Sequence, residues 1–316
     1  NNVELTESRA KRLPVYERAE MLANIVALKK NIIITGSHGK TTTTSLISRI
    51  LYEAKLDPTI INGGVINSIK SSARFGKGDW AVLEADESDG SFLNFPVNYS
   101  VVTNIDKEHI DFYKNFENLK KSFLIFLNKT PAIGKTFLCL DDKEIKNIIP
   151  KIKNKNFFTY GFAKEANFRI LNSTYKKNHS KFDMIISIPG LKKTKLKNIQ
   201  LNLMGSYNIL NAASAVALCL HIGINIKVIR NVLKKFSGIE RRLTKVFEDK
   251  DREFFDDYAH HPTEIKSVLN SIRLINKDRK IISVFQPHRY SRLKLLKKEF
   301  AYSFKDSDLV ILCPVY

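Results

Sequence analysis

Short apolar runs alternate with longer amphipathic stretches over the first half of the chain. The apolar runs predict strands at residues 32–34, 58–61, 80–84, 99–103 and 135–140. Amphipathic stretches predict helices at residues 17–29, from residue 40 onward and at 119–127. Strands separated by helices favour a parallel sheet in an α/β fold, and such sheets bind ligands at the carboxyl ends of their strands.

Residues 157–204 have a different pattern, in which short alternating strands are joined by polar turns. Strands are predicted at residues 157–161, 168–175, 182–188 and 199–203, which favours a small antiparallel insert. Helices are predicted at 207–221 and 226–236. From residue 241 the α/β alternation returns, with strands that end at 257, 285 and 312 and helices at 263–274 and 293–304. We expect both chain ends to be cut, because no Met begins the chain and a strand ends it.

The composition changes this picture little. The 316 residues are 43 % hydrophobic and 27 % charged, as in ordinary globular proteins, and the length predicts about two domains. No apolar run reaches the ~20 residues that span a bilayer, and the first residues do not form a signal peptide. The three cysteines are far apart in apolar surroundings. We therefore expect a cytoplasmic protein without a membrane contact, whose cysteines are small core residues.

The net charge of +20 leaves two interpretations open. A basic surface can bind nucleic acid, but the lysines here are scattered and are not interleaved with aromatic residues. We favour solvated, lysine-rich faces and expect no nucleic-acid partner.

Residues 31–47 carry the most specific chemistry. A buried strand leads into the turn Gly36-Ser-His-Gly39, and Lys40 and Thr41 open a helix. This order is typical of a phosphate-binding loop, in which backbone N–H groups face the anion, Lys40 adds charge and Thr41 offers a hydroxyl to Mg²⁺. The standard motif would have a glycine in place of Ile34. The alternative is a glycine turn that only starts a helix.

Acidic and histidine side chains follow the next strands. Glu84-Ala-Asp-Glu-Ser-Asp89 has four carboxylates in six residues, and His109 and Asp111 come after the strand at 99–103. Because parallel strands end at one edge of a sheet, we expect these groups near the phosphate loop, where carboxylates and imidazole bind metal. A solvated acidic loop and a structural histidine are the alternatives.

Polar segments farther along the chain complete the candidate site. Asn208 and Asn211 share a helix face, from which amides can pair with an adenine edge; helix capping is the alternative. Two strand-to-helix turns, 256–264 and 285–292, carry His260, His261, His288, Arg289, Tyr290 and Arg292. Such a cluster suits a carboxylate or a phosphate, unless the turns are unrelated surface loops.

Taken in order, these motifs resemble the Mur ligase family. The resemblance rests on the phosphate loop, the acids at 84–89, residues 103–111, Asn208 with Asn211, and the two later turns. It implies a central P-loop ATP-binding domain with a parallel sheet at residues 30–240. Residues 1–29 would be the tail and linker of an N-terminal UDP-sugar-binding domain, and residues 241–316 an incomplete C-terminal Rossmann-like domain.

The resemblance implies ATP-dependent peptide-bond formation in peptidoglycan synthesis. The last two turns are most similar to the family member that joins L-alanine to the lactyl carboxylate of UDP-N-acetylmuramate through an acyl phosphate. ATP and Mg²⁺ are the implied cofactors, and a monomer or homodimer is expected. Two alternatives stay open: a sibling ligase that attaches a recycled tripeptide to the same sugar nucleotide, and another P-loop NTPase such as a GTPase or kinase.

The resemblance also implies a role for each site residue. Lys40, Glu84 and His109 would be catalytic, with one Mg²⁺ on Thr41 and Glu84 and a second on Glu84 and His109. The residues implied to bind the nucleotide are Gly36, Ser37, His38, Gly39, Lys40, Thr41, Thr42, Asn208, Asn211 and Arg241. The residues implied to face the substrates are Asn62, Tyr258, His260, Arg289 and Arg292.

Overall fold

The structure, a computed structural model, describes residues 2–316. Its main feature is a ten-stranded sheet. The strands of this sheet are β1 (Lys30–Thr35), β2 (Thr59–Ile66), β3 (Ser71–Arg74), β4 (Trp80–Glu84), β5 (Tyr99–Val102), β6 (Lys135–Cys139), β7 (Phe157–Gly161), β8 (Phe168–Lys176), β9 (His179–Ile186) and β10 (Thr194–Leu201). The later strands are β11 (Thr244–Glu248), β12 (Glu253–Asp256), β13 (Ile282–Phe285) and β14 (Leu309–Leu312).

Helices connect and cover these strands. The α-helices are α1 (Val3–Ala10), α2 (Arg18–Val26), α3 (Lys40–Glu53), α4 (Ile110–Tyr113), α5 (Phe116–Asn128), α6 (Lys143–Ile148), α7 (Ser206–His221), α8 (Ile226–Lys235), α9 (Pro262–Ile275), α10 (Tyr290–Leu295) and α11 (Lys297–Ser303). Short 3₁₀ helices lie at Ser91–Asn94 and Ile149–Lys151.

The strand order of the large sheet is β10-β9-β8-β7-β6-β5-β1-β4-β2-β3. In the sheet, each pair of adjacent strands in the stretch β8-β7-β6-β5-β1-β4-β2 is parallel. The pairs at the two edges, β2–β3, β8–β9 and β9–β10, are antiparallel. The predicted parallel α/β sheet is therefore confirmed. The predicted antiparallel insert is wrong for its first two strands: β7 is parallel to both β6 and β8, and within the insert only the pairs β8–β9 and β9–β10 are antiparallel. α6 carries the chain back along the sheet between β6 and β7, which permits their parallel pairing.

The core of the large sheet is built from the apolar runs. Ile32, Ile33 and Ile34 of β1 are fully buried, as expected for a central parallel strand covered on both faces. α3 and α7 pack against each other, and the small side chains Ala212 and Ala213 of α7 are also fully buried. This packing fixes the direction in which the chain leaves β1, and with it the position of the loop at 36–39.

Residues 241–316 form a smaller unit. β11 pairs antiparallel with β12, and β13 pairs in parallel with β14. The core of this unit consists of six buried side chains, Ile265, Leu269, Ile281, Phe285, Leu296 and Phe300. The helix predicted at 293–304 is interrupted at Leu296, whose φ of −116° and ψ of 27° are not helical. Burial of the Leu296 side chain in the small core accompanies this break.

Two further expectations concern the whole chain. Over residues 2–316, every helix is too short or too polar to cross a lipid bilayer. Cys139 and Cys219 are buried and Cys313 is partly buried, and all three are free thiols. Cys139 and Cys219 agree with the prediction that the cysteines are small core residues, whereas Cys313 lies outside both clusters of buried side chains.

Candidate active site

The loop at 36–39 depends on two glycines. The backbone φ angle is 125° at Gly36 and 83° at Gly39. Residues other than glycine rarely adopt such positive values. A Cβ atom at Gly36 would lie 2.3 Å from Thr103 Oγ1, and one at Gly39 would lie 2.6 Å from Asn211 Oδ1. The loop thus packs directly on the end of β5 and on α7, so it is held from two sides.

The backbone of the loop divides into two parts. The N–H groups of Ser37 and His38 donate to Asn104, at 3.1 Å to its carbonyl and 2.8 Å to its Oδ1. α3 begins at Lys40, and the first N–H groups of a helix have no carbonyl one turn earlier to bond. The start of α3 is therefore the part of the loop that can bind an anion.

Lys40 is held at the base of the loop. Its Nζ donates to Gly36 O at 2.7 Å, to Ser37 O at 3.3 Å and to Glu87 Oε2 at 2.7 Å. Burial alone would lower the pKa of this ammonium, but the carboxylates of Glu87 and Asp86 outweigh burial and raise it. Lys40 therefore keeps its positive charge inside the site.

Glu84, at the end of β4, joins the loop to β2. Its Oε1 accepts a hydrogen bond from Thr41 Oγ1 at 3.1 Å, and its Oε2 accepts one from the Gly63 N–H at 2.7 Å. Burial raises the pKa of this carboxyl, and nearby Lys40 opposes the shift. A hydroxyl and a carboxylate at this spacing, beside the start of α3, fit a hard cation bound together with phosphate oxygens.

A second group of candidate ligands lies beside Lys40. One ligand atom each from Asp86, Glu87 and His109 lies within 4.8 Å of the others. Burial lowers the pKa of His109 to about 4, so the imidazole is neutral at pH 7 and able to bind a cation. Glu87 is fully buried, and its Oε1 accepts no hydrogen bond from residues 2–316.

The sequence-based ligand set needs one adjustment. His109 was expected to share a cation with Glu84, but its Nε2 lies 3.7 Å from Glu87 Oε1, while Glu84 faces Thr41 and Gly63. Asp86 and Glu87 belong to the predicted acidic run, yet sequence alone did not single them out. The sequence does show four carboxylates between residues 84 and 89. It does not show which of them lie close enough to His109 to share a cation.

A cavity of ≈ 250 Å³ adjoins the other side of the loop. Gly39, Thr42, Asn208 and Asn211 line it, together with apolar side chains such as Ile239. Asn208 and Asn211 are each only 6 % exposed, and Asn208 Nδ2 donates to Met204 O at 2.8 Å. Apolar side chains such as Leu210 and Phe236 thus share the lining with many polar groups, including Thr263 and Glu264 of the smaller unit, and such a mixed wall can hold a heterocyclic base.

The position of Arg241 does not support its predicted contact with the nucleotide. Its side chain is 70 % exposed and lies 3.8 Å from Asp256, whereas the next residue, Arg242, lines the cavity and lies 3.5 Å from Glu264. Arg241 has a φ of 56°, which turns the two neighbouring side chains in different directions. Sequence cannot tell which of two adjacent arginines faces inward.

A second cavity, of ≈ 410 Å³, connects the two parts of the molecule. The central sheet contributes Ser37, Lys40, Thr41, Asn62, Glu84 and His109 to its lining. The smaller unit contributes Tyr258, His260, His288, Arg289 and Arg292. The structure therefore brings the predicted phosphate and metal residues to the same cavity as the predicted substrate residues, although they are separated by about half the chain.

Comparisons with known proteins assign the chain to a family. Residues 34–219 match the model of the Mur ligase middle domain, and residues 241–315 match that of the Mur ligase glutamate ligase domain. The chain belongs to the Mur ligase family. The resemblance found in the sequence is thereby confirmed, and with it the classification as an ATP-dependent ligase.

The similar Mur ligases are close in sequence and in fold. The chain is 54 % identical to the UDP-N-acetylmuramate–L-alanine ligase of Pelagibacter ubique and 44 % identical to that of Brucella anthropi. It is covered completely in both comparisons and spans 68 % and 67 % of those relatives. The solved UDP-N-acetylmuramate–alanine ligase of Thermotoga maritima has a TM-score of 0.81 and 26 % identity, with 99 % of this chain and 68 % of that one covered.

Two residues of this Mur ligase differ from expectation in their surroundings. The side-chain amide of Asn62, in β2, donates to Ser45 Oγ of α3 at 3.0 Å and to Gly64 O at 2.8 Å. These bonds join α3 to the part of β2 that presents the Gly63 N–H. Glu108, which sequence reasoning missed, is 7 % exposed, and its Oε1 lies 3.5 Å from Arg292 Nη2.

Proposed function

We propose that this chain carries the ATP site and the amino-acid site of an enzyme that joins L-alanine to UDP-N-acetylmuramate. The observation that carries the proposal is the ≈ 410 Å³ cavity, in which Lys40 and Glu84 face Arg289 and Arg292. The names of the two relatives at 54 % and 44 % identity support this choice of substrates.

The proposed reaction needs two anions to be held together. A sugar carboxylate attacks the γ-phosphate of ATP, the bond from that phosphorus to the bridging oxygen breaks, and ADP leaves an acyl phosphate behind. The amine of L-alanine then attacks the acyl carbon, loses a proton and displaces inorganic phosphate to form the amide. Both steps build up negative charge at the phosphate loop. Lys40, kept charged by Glu87, and the N–H groups at the start of α3 are in place to stabilise that charge.

The donor set of the loop fits Mg²⁺. Thr41 and Glu84 would hold one ion, and His109, with Asp86 and Glu87 beside it, would hold a second. Bound Mg²⁺ would neutralise phosphate charge during transfer. Glu84 is oriented for this task because Gly63 fixes one of its oxygens through a hydrogen bond of 2.7 Å.

The smaller unit would select the amino acid. Arg289 and Arg292 follow β13 at the edge that faces the phosphate loop, and a guanidinium binds a carboxylate with two parallel hydrogen bonds. Tyr258 and His260 line the same cavity, and their rings are in edge contact at 5.1 Å. These four side chains would close a small site, which suits an amino acid with a short side chain.

The base cavity would select adenine. Asn208 and Asn211 are buried at its wall and can offer an amide to the edge of the base. Isothermal calorimetry of the 316-residue chain with ATP and with GTP, each with Mg²⁺, tests this assignment. Binding that is tighter for GTP would contradict it.

The choice of amino-acid substrate needs a separate experiment. The native protein is mixed with ATP, Mg²⁺ and UDP-N-acetylmuramate, and phosphate release is followed after addition of L-alanine, glycine or the recycled tripeptide. Release that depends on L-alanine supports the proposal. Release that depends on the tripeptide would instead assign the sibling ligase activity.

A further inference from the structure

His38 is the one residue of the phosphate loop whose side chain spans the two units. Its Nε2 lies 2.9 Å from Asp106 Oδ2, in the central unit, and its Nδ1 lies 3.4 Å from Glu264 Oε1, in the first turn of α9. Only 13 % of the His38 side chain is exposed. Both ring nitrogens therefore face carboxylates, and neither faces the anion-binding start of α3.

The surrounding contacts link the same two units. Thr263 Oγ1 donates to Asp106 Oδ2 at 2.6 Å, so α9 reaches the carboxylate that also holds His38. The His261 ring lies 4.9 Å from the His38 ring, and Arg242 lies 3.5 Å from Glu264. The contacts form one continuous network between the phosphate loop and the N-terminal turn of α9.

The network needs a particular charge on His38. A neutral imidazole has one N–H and one acceptor nitrogen, so one of its nitrogens would face a carboxylate oxygen without a hydrogen. The imidazolium donates to Asp106 Oδ2 at 2.9 Å and places its positive charge 3.4 Å from Glu264 Oε1. Burial opposes this charge, but Asp106 and Glu264 outweigh burial and raise the pKa of His38 to about 10. Burial and the charge of His38 lower the pKa of His261 to about 4, so the second ring stays neutral.

We propose that His38 is a positioning residue, a charged bridge that docks residues 241–316 on the phosphate loop. The same residue fixes the loop itself, since its N–H donates to Asn104 Oδ1 at 2.8 Å. His38 therefore takes part in the loop through its backbone N–H and in docking through its ring. With the units docked, Arg292 and His260 face the cavity that contains Lys40. This role goes beyond the proposed ligase reaction and is measurable without any substrate.

A metal site is the competing interpretation of the cluster. Ligand atoms of His38, Asp106 and His261 lie within 4.8 Å of one another. A cation on His38 Nε2 would replace the proton that joins this nitrogen to Asp106 at 2.9 Å, and Nδ1 would keep its hydrogen for Glu264. Added Zn²⁺ therefore distinguishes the two interpretations.

The test compares His38→Asn with the wild-type 316-residue chain by hydrogen exchange and small-angle X-ray scattering. His179→Asn is the matched control, because His179 lies on β9 outside this network. His38→Asn should raise the population of the undocked state about 10- to 100-fold, as expected for loss of a charge-assisted hydrogen bond. Exchange in the first turns of α9 should accelerate by that factor, while circular dichroism and exchange in β1 stay unchanged.

A double-mutant cycle identifies the partner. Glu264→Gln should resemble His38→Asn, and the double variant should be no worse than the more affected single variant, because the two side chains share one interaction. Additive effects would show that His38 and Glu264 act separately and would overturn the bridge.

The charge is measured on the unaltered chain, so the proposal stays testable if a variant fails to fold. Nitrogen chemical shifts of the His38 ring at pH 7.5 should be those of an imidazolium. A neutral ring, unchanged α9 exchange in His38→Asn, or Zn²⁺ alone slowing that exchange in the wild type would each overturn the proposal.

Discussion

The two units hold their halves of the site in different ways. The central unit places Lys40 and Glu84 at the ends of strands whose core side chains, such as Ile33 and Val82, are fully buried. The smaller unit places Arg289 and Arg292 on a turn between elements with a core of six buried residues. In β13 and β14, Val284 and Leu312 are 68 % and 67 % exposed.

This difference shows where the precision of each half comes from. In the central unit a close-packed interior fixes the phosphate loop, so its geometry is set by the sheet itself. Residues 241–316 bury only six core side chains in this chain, which spans 68 % of its 54 % identical relative, and their contacts with Asp106, His38 and Asp111 add constraints on the turns that carry the arginines. Substrate binding by the arginines should therefore depend on docking, whereas phosphate binding should not.

The largest expected effect is on the central half alone. Lys40→Ala should lower ATP-dependent turnover of the native protein by about 1,000-fold or more, because a preorganised charge at the transferred phosphate is lost. The structure also predicts a side effect, since Glu87 would be left buried without its 2.7 Å partner. Steady-state phosphate release is the measurement.

Lys40→Ala/Glu87→Gln serves as the control for this side effect. It should restore the thermal stability that Lys40→Ala loses and leave turnover low. Turnover above about a tenth of wild type in either variant would remove Lys40 from the reaction.

A pair of core substitutions compares the two interiors directly. Phe137 is fully buried among Phe158, Phe168 and His221, whereas Phe285 lies in the six-residue core against Phe300 and Phe304. Phe137→Ala should cost about 3–5 kcal/mol in the free energy of unfolding of the whole chain. Phe285→Ala should loosen only residues 241–316.

Urea unfolding followed by hydrogen exchange separates these outcomes. After Phe285→Ala, β1 and β5 should keep their protection while α9 and α11 lose theirs. Equal loss of protection in both units would mean that the chain unfolds as one body, and the comparison drawn above would then fail.

The sequence predicted the central half of the site well and the smaller half only in part. Buried parallel strands are continuous apolar runs, so the strands at 30–35 and 80–84, and the residues directly after them, could be found from pattern alone. β11 is short, contains two charged residues and has four of its five positions exposed. It therefore has no continuous apolar run from which a strand could be predicted. Roles assigned to individual residues of the site stay predictions.

Two physical causes explain why the sequence did not predict the surroundings of these residues. Whether Arg241 or Arg242 faces the cavity depends on one positive φ angle, and the surroundings of Glu108 and His38 depend on contacts with residues more than 150 positions away. Local pattern contains neither kind of information. The surroundings of these side chains can be described only from a structure that contains both units.

Amino-acid recognition should test the smaller half. Arg289→Lys keeps the charge but loses the planar fork, so the KM for L-alanine should rise about 30-fold or more while the KM for ATP stays within about twofold. Arg279→Lys is the control, because Arg279 is exposed and pairs with Glu253 away from the cavity. A rise in the KM for ATP alone would assign Arg289 to the phosphates.

The smallest expected effect is a pH dependence, and it tests the contact between the halves. The folded pKa of His38, about 10, exceeds the ordinary value of 6.5 because Asp106 and Glu264 outweigh burial. Its stabilising contribution is therefore complete below pH 6.5 and is lost as pH rises through about 10. The difference in the free energy of unfolding between wild type and His38→Asn should shrink across that window, in total by about 1.4–2.7 kcal/mol, the equivalent of the 10- to 100-fold effect on docking.

The measurement is best made from pH 7.5 to 10. The charged groups around the His38 ring are Asp106, Glu264, Glu108 and Arg242, and the His261 ring lies tilted beside it at 4.9 Å. Burial raises the pKa of Glu108 to about 7, so this carboxyl titrates near the lower end of the range, whereas Asp106, Glu264 and His261 keep one charge state across it. The same difference for His179→Asn should be flat. A flat difference for His38→Asn as well would mean that the ring is neutral in the fold, and the two halves would then be held by Thr263 and Asp106 without a charged bridge.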